Sequence, residues 1–176
     1  MNLDLILKKE IFAISLILIL VLSRLIPHPP NFTPIVAVAI MSGYLFKNIY
    51  ISFAVLITSM LLADAFIGFY KNMFFVYFSL ILISYIFYKI SSNINSKNLF
   101  IFSLLGTIVF FIISNFGVWI LGGLGPNNLP YDKNLNGLLE CYILAIPFIK
   151  NTMLSTLVFT YGAYIANIFF IKKKTS

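Results

Sequence analysis

Acidic residues are scarce in this chain: five Asp and Glu stand among 176 residues, against twelve Lys and Arg, one His, one Trp and one Cys. The lone cysteine, Cys141, excludes an internal disulfide, a CxxC pair and a cysteine metal cluster, and reads most simply as a small buried apolar residue. The lone histidine, His28, excludes a His-x-x-x-His metal signature, and no paired-acid motif replaces it. Charged residues make up only 10% of the chain while 61% is hydrophobic, which excludes an ordinary soluble domain. The net charge of +7 does not point to nucleic acid. The basic residues are scattered singly apart from Lys8-Lys9 and Lys172-Lys173-Lys174, a pattern that fits anchoring of membrane loops. No GxxxxGK[ST] phosphate loop is present, and no motif calls for a cofactor.

What is present is a succession of apolar stretches bounded by Pro, Asn, Lys and Gly, at 11–26, 34–46, 49–69, 73–89, 98–119 and 151–171. They predict an all-α, six-helix transmembrane bundle occupying residues 1–176 as one integral membrane domain. The first stretch follows Lys8-Lys9 like a signal peptide but lacks a small-x-small cleavage site, so it reads as an uncleaved span. In the short second stretch, Thr33 is expected as the N-cap, with Pro34 opening the helix. Residues 138–149 are too few to cross a bilayer, and with Pro147 near their end they predict a half-helix leading into the last span.

With the N-terminus inside, Lys8, Lys9, Lys47, Lys89, Lys97, Lys172, Lys173 and Lys174 fall on the inner side, leaving Arg24, Lys71, Lys133 and Lys150 outside. This excess predicts a multi-pass membrane protein with both termini cytoplasmic. Small residues at Ala39-xxx-Gly43, Ser103-xxx-Thr107 and Gly162-xxx-Ala166 are expected where helices approach closely, mostly within one subunit.

The expensive residues gather at the outer ends of the first, third and fifth helices. Asp64 stands in an apolar segment near a helix C-terminus, where the dipole disfavours an anion, so it needs a partner or a ligand. Arg24 either neutralises Asp64 or snorkels to headgroups. His28 and Asn31 lie in a proline-stiffened loop. Asn115 and Trp119, four apart, share one helix face and pair an amide with a flat indole. Glu140 opens the half-helix, too far from Lys150 to pair along it. The Gly-, Asn- and Pro-rich 122–132 loop suits a lid. Arg24, His28, Asn31, Asp64, Asn115, Trp119 and Glu140 are therefore the candidate substrate-binding residues; no catalytic or metal-ligating set emerges.

Four segments carry a family resemblance: Arg24-Leu-Ile-Pro-His-Pro-Pro-Asn-Phe-Thr-Pro34, Asp64-Ala-Phe-Ile-Gly-Phe-Tyr70, Ser114-Asn-Phe-Gly-Val-Trp119 and Gly137-Leu-Leu-Glu-Cys-Tyr142. Through them the chain resembles a family of small uncharacterised bacterial membrane proteins, assigned to transport and grouped near the substrate-binding S components of energy-coupling factor (ECF) transporters. The S components themselves are similar in architecture. The resemblance implies capture of a small molecule on the outer face and its delivery inward against a coupling protein with ATPases. S components often carry an Ala-xxx-Ala docking surface on helix one, where this chain has only Ala13, so solitary transport stays open. Two other classes compete: an intramembrane enzyme using Asp64 or Glu140 with His28, and an assembly subunit docking through Gly162-xxx-Ala166.

Overall fold

The computed structural model describes residues 3–46, 48–126 and 128–172, with the side chains of 10–169 in those ranges except Asn93. Six α-helices follow in chain order: α1 Leu3–Leu22, α2 Ile35–Leu45, α3 Ile49–Ile67, α4 Met73–Lys89, α5 Leu99–Ile120 and α6 Leu135–Lys172. Short 3-10 turns at Ser23–Leu25 and Ser91–Asn93 follow α1 and α4. Helix is the expected outcome for such apolar segments, because it satisfies every backbone polar group within the segment. Asn48 caps α3, its Oδ1 accepting from the Tyr50 and Ile51 amides at 2.8 and 3.4 Å. Gly68 ends it with a φ of 108°, a conformation that a side chain would strain.

Three boundaries depart from expectation, the first being α1, which runs over Leu3–Leu22 where 11–26 was expected. Pro34 itself occupies the N-cap of α2 with no side-chain cap, so Thr33 does not play that part; the Pro34 carbonyl accepts the first helical bond, from the Val38 amide at 2.8 Å. The half-helix and the last span are one helix of 38 residues, about 57 Å long, with Pro147 inside it. Proline forfeits one backbone bond and strains the preceding turn. Neighbours hold α6 on both sides of the proline: Tyr142 donates to the Ile112 carbonyl at 2.7 Å, and Asn151 donates to the Pro30 carbonyl at 2.9 Å.

α2 is the hub. Its 11 residues span about 17 Å, short of a hydrocarbon core of about 30 Å, and it packs against all five other helices. Residues 36–43 are buried without a polar face, as expected of a helix surrounded by others. Gly43 of the Ala39-xxx-Gly43 pair lies against the α4 backbone: a Cβ there would collide with the Ser84 carbonyl oxygen and come within 2.9 Å of the Tyr88 amide. Beside that contact Ser84 Oγ lies 3.1 Å from Ser42 Oγ and 2.9 Å from Ser52 Oγ, joining α2, α3 and α4. Ser103 and Thr107 are likewise buried within the bundle, whereas a Cβ at Gly162 would meet nothing within 4 Å.

The outside is apolar, with Phe66, Phe74, Phe78, Ile101, Leu105, Ile108, Ile112, Ile143 and Ile146 all exposed. A continuous greasy exterior belongs in lipid. Among the described residues three helices are long and apolar enough to cross a membrane: Ile49–Ile67, Leu99–Ile120 and the Leu135–Phe169 portion of α6. Of the basic residues counted for orientation, Lys47, Lys173 and Lys174 lie outside the described residues.

Candidate functional site

The end of the bundle that holds the loops after α1, α3 and α5 contains two polar arrangements of opposite character. The first is a buried ion pair. Asp64, near the end of α3, is 0% exposed, and its Oδ1 lies 2.9 Å from Arg24 Nη2 in the 3-10 turn after α1. Tyr77 of α4 donates its hydroxyl to Asp64 Oδ2 at 2.8 Å, and Arg24 Nη1 approaches Met60 Sδ at 3.6 Å. Three elements thus meet on one carboxylate, and the charge that composition makes expensive is offset inside the protein. Arg24 neutralises Asp64 and does not snorkel. Tyr70, in the loop between α3 and α4, has its phenol pushed up to about 12 by burial and by the Asp64 carboxylate, with Arg24 opposing. It stays neutral at any physiological pH.

The second arrangement is a cavity of about 230 Å³ lined by Asn31, Asn72, Val76, Phe110, Phe111, Ser114, Asn115, Val118, Ala145, Phe148, Ile149 and Thr152. It lies among α4, α5, α6 and the loop before α2. Asn115 reaches it from α5, its Nδ2 donating to the Phe111 carbonyl at 2.8 Å. Ser114 Oγ donates to the Phe110 carbonyl at 2.7 Å, and Thr152 Oγ1 to the Phe148 carbonyl at 3.2 Å. Asn31 holds a left-handed φ of 59°, a conformation asparagine tolerates, and its carbonyl lies 3.5 Å from Thr152 Oγ1.

Asn72 stands at the N-cap of α4 but makes no cap bond; its Nδ2 crosses to the Ser114 carbonyl at 2.9 Å. Its Oδ1 is buried with no hydrogen-bond partner and lies against Gly117, where a Cβ would collide with it and meet Phe75 Cβ at 2.5 Å. Gly117 is therefore what lets α4 and α5 close on the amide.

A second hollow of about 460 Å³ adjoins this cavity and shares Asn115, Val118, Ala145 and Phe148 with it, adding Gly125, Pro126, Tyr131, Cys141 and Leu144. The loop after α5 supplies its roof, folded on itself by bonds from the Gly125 amide to the Leu129 carbonyl at 2.8 Å and from the Tyr131 amide to the Gly123 carbonyl at 3.2 Å. Trp119 fastens that loop: its Nε1 donates to the Asp132 carbonyl at 2.8 Å, while Lys133 donates to the Trp119 carbonyl and lies 5.4 Å over the indole ring. Burial pushes the Tyr131 phenol up, with Cys141 and Glu140 adding to the effect, so the roof carries no phenolate.

The seven sequence candidates therefore separate. Asn31 and Asn115 line the cavity. Arg24 and Asp64 face each other, Trp119 holds the loop, Glu140 is exposed on α6, and exposed His28 donates Nδ1 to its own loop at the Ile26 carbonyl, 2.6 Å away. Asn72, Ser114 and Thr152 on the wall, and Tyr77 on the carboxylate, escaped the sequence reading. Ser114 had a signal in its neighbour Asn115; Asn72 looked like an ordinary boundary residue, and Thr152 had nothing to set it apart. Among the described residues no group of three or more His, Cys, Asp or Glu could hold a metal ion.

Fold and site define a class: a helical bundle, with helices long and apolar enough to span a membrane, that holds an uncharged, amide-lined cavity and an internally neutralised ion pair. The chain belongs to the family of unknown function DUF6580, whose profile matches residues 6–175. No curated protein and no solved structure matches it.

Proposed function

We propose that this chain is a membrane transport protein of the substrate-binding kind, holding a small molecule in the cavity among α4, α5 and α6. The observation that carries the reading is the cavity itself: a hollow of about 230 Å³ into which four elements bring Asn31, Asn72, Ser114, Asn115 and Thr152. Polar side chains gathered around a partly open hollow in an otherwise apolar bundle suit a ligand that meets them. Support also comes from the latched loop beside it, which suits a lid, and from the resemblance to S components. In this reading the protein captures its substrate on the outer face of the bacterial inner membrane, with both termini cytoplasmic, and no covalent chemistry occurs. An ECF-type coupling protein with ATPases is the partner the resemblance favours.

The test is a thermal-shift screen of the purified full chain against vitamins, nucleobases and amino acids, since a ligand bound only by the folded state raises Tm. The expected result is a stabilising ligand whose effect disappears in Asn115→Ala. A blank screen, with native mass spectrometry showing a firmly bound protein partner, would instead favour an assembly subunit. One observation speaks for that second reading: Gly162 sits on α6 with open space around it, ready for a neighbouring helix. The intramembrane enzyme has less support, because the Asp64 carboxylate is engaged by Arg24 and Tyr77 and His28 is turned to its own loop.

A further inference from the structure

The hydrogen-bond inventory of the cavity restricts the chemistry of what it can hold, given the substrate-binding reading on which the argument rests. None of its lining residues is Asp, Glu, Lys, Arg or His. Arg24 and Asp64 are paired with each other, Arg24 Nη2 and Asp64 Oδ1 lying 2.9 Å apart, and Glu140 and Lys150 are exposed on α6. A buried charge entering this hollow would lose its hydration without meeting a countercharge.

The neutral groups are selective as well. Ser114 and Thr152 have given their hydroxyl protons to the helix carbonyls of Phe110 and Phe148, so each presents only lone pairs. Asn72 has one N–H committed to Ser114, and its Oδ1 is lodged against Gly117. Asn115 has one N–H committed to Phe111, which leaves an N–H and Oδ1 without a protein partner. The cavity thus offers acceptors at Ser114, Thr152, Asn115 and Asn31, one spare N–H each at Asn72 and Asn115, and the amide N–H groups of Asn31 at its loop edge. A carboxylate would find N–H donors but no cation to offset its charge. An ammonium would find acceptors but no anion. A neutral N–H beside a C=O meets both kinds of partner, and Phe110, Phe111 and Phe148 supply apolar walls for the rest of the molecule. At about 230 Å³ the hollow by itself is smaller than the roughly 300–1,000 Å³ typical of drug-sized sites and suits one ring, and the adjoining hollow of about 460 Å³ leaves room for a substituent beyond it.

We propose that this cavity binds an uncharged, single-ring molecule bearing an amide-type edge, and rejects charged molecules of the same shape. Three probes of matched shape test this: benzamide, benzoate and benzylammonium, each added at the same millimolar concentration to the purified full chain at neutral pH, with binding read by thermal shift and calorimetry. Benzamide should raise Tm and the two ions should not. Asn115→Ala should weaken benzamide about tenfold, as expected for one lost hydrogen bond of this kind, and Asn115→Asp should transfer the response to benzylammonium. Should the Asn115 variants fail to fold, Thr152→Val keeps the shape, removes one acceptor and should still weaken benzamide. Stronger binding of either ion, sensitive to Asn115, would overturn the proposed ligand class while leaving the cavity a binding site. No response to benzamide from folded protein would overturn it too, and a ligand from the broader screen that is lost in Asn115→Ala would show that the substrate-binding reading survives. A benzamide response unchanged in both Asn115→Ala and Thr152→Val would place the binding elsewhere and overturn the proposal.

Discussion

The α1–α3 side and the α4–α6 side of this bundle treat polarity in opposite ways. On the first, Arg24 and Asp64 pair with each other and Tyr77 reaches over from α4 to donate to the carboxylate, so both charges are offset within the protein. On the second, amides and hydroxyls carry no charge yet keep lone pairs and N–H groups uncommitted around a hollow. Energetic expense and functional availability are therefore different properties. A carboxylate inside an apolar helix demands a partner, and here the protein supplies it; an amide carries no charge, so the protein need not neutralise it and it can be left to meet something else.

The sharpest way to break the contrast is at the ion pair. Asp64→Ala leaves Arg24, only 9% exposed, without its countercharge, and should cost about 3–5 kcal/mol of stability, seen as a large fall in Tm of the purified protein. Replacing both partners, Arg24→Met with Asp64→Leu, should recover most of that loss, because a packed apolar pair removes the unpaired charge. A double variant as unstable as the single one would mean the pair does more than neutralise itself.

Glycines at the helix contacts come next. Gly117→Ala drives a methyl into Asn72 and Phe75, and Gly43→Ala drives one into the α4 backbone. Each should destabilise by about 1–3 kcal/mol, the usual cost of overpacking, with Gly43 the worse because backbone cannot rotate away as a side chain can. Equal Tm values for wild type and Gly43→Ala would contradict the central packing of α2. Asn115→Ala should leave Tm of the unliganded protein almost unchanged while weakening ligand about tenfold. Smallest of all, Gly162→Ala fills open space and should gain up to about 1 kcal/mol from helix propensity. A loss there, in protein held at high concentration, would reveal a helix from another subunit against α6.

Much of this contrast was legible in the amino-acid sequence on its charged side and little on its neutral side. Asp64 announced its need for a partner, and Arg24, at the end of the preceding helix but one, was the available cation. Helix α4 matches the expected 73–89 stretch, and α3 and α5 lie within two residues of theirs, because long apolar runs flanked by polar residues leave few alternatives. α6 was misjudged at Pro147, since a proline ends a helix by local rules while tertiary bonds from Tyr142 and Asn151 hold this one together. Asn72 and Thr152 gave no warning: one sits where a cap is expected and the other inside an apolar stretch, and only the meeting of α4, α5 and α6 puts them on one wall. Trp119 was read as a binding platform from its spacing to Asn115, but its indole N–H is committed to Asp132, thirteen residues on.

The measurement that bears most directly on the account is the benzamide-induced shift in Tm, compared between Asn115→Ala and the Arg24→Met, Asp64→Leu double variant. The account predicts a shift lost in the first and retained in the second, since the ligand meets the amide wall and never the ion pair. A shift retained in Asn115→Ala and lost in the double variant would move the binding site to the charges and contradict it.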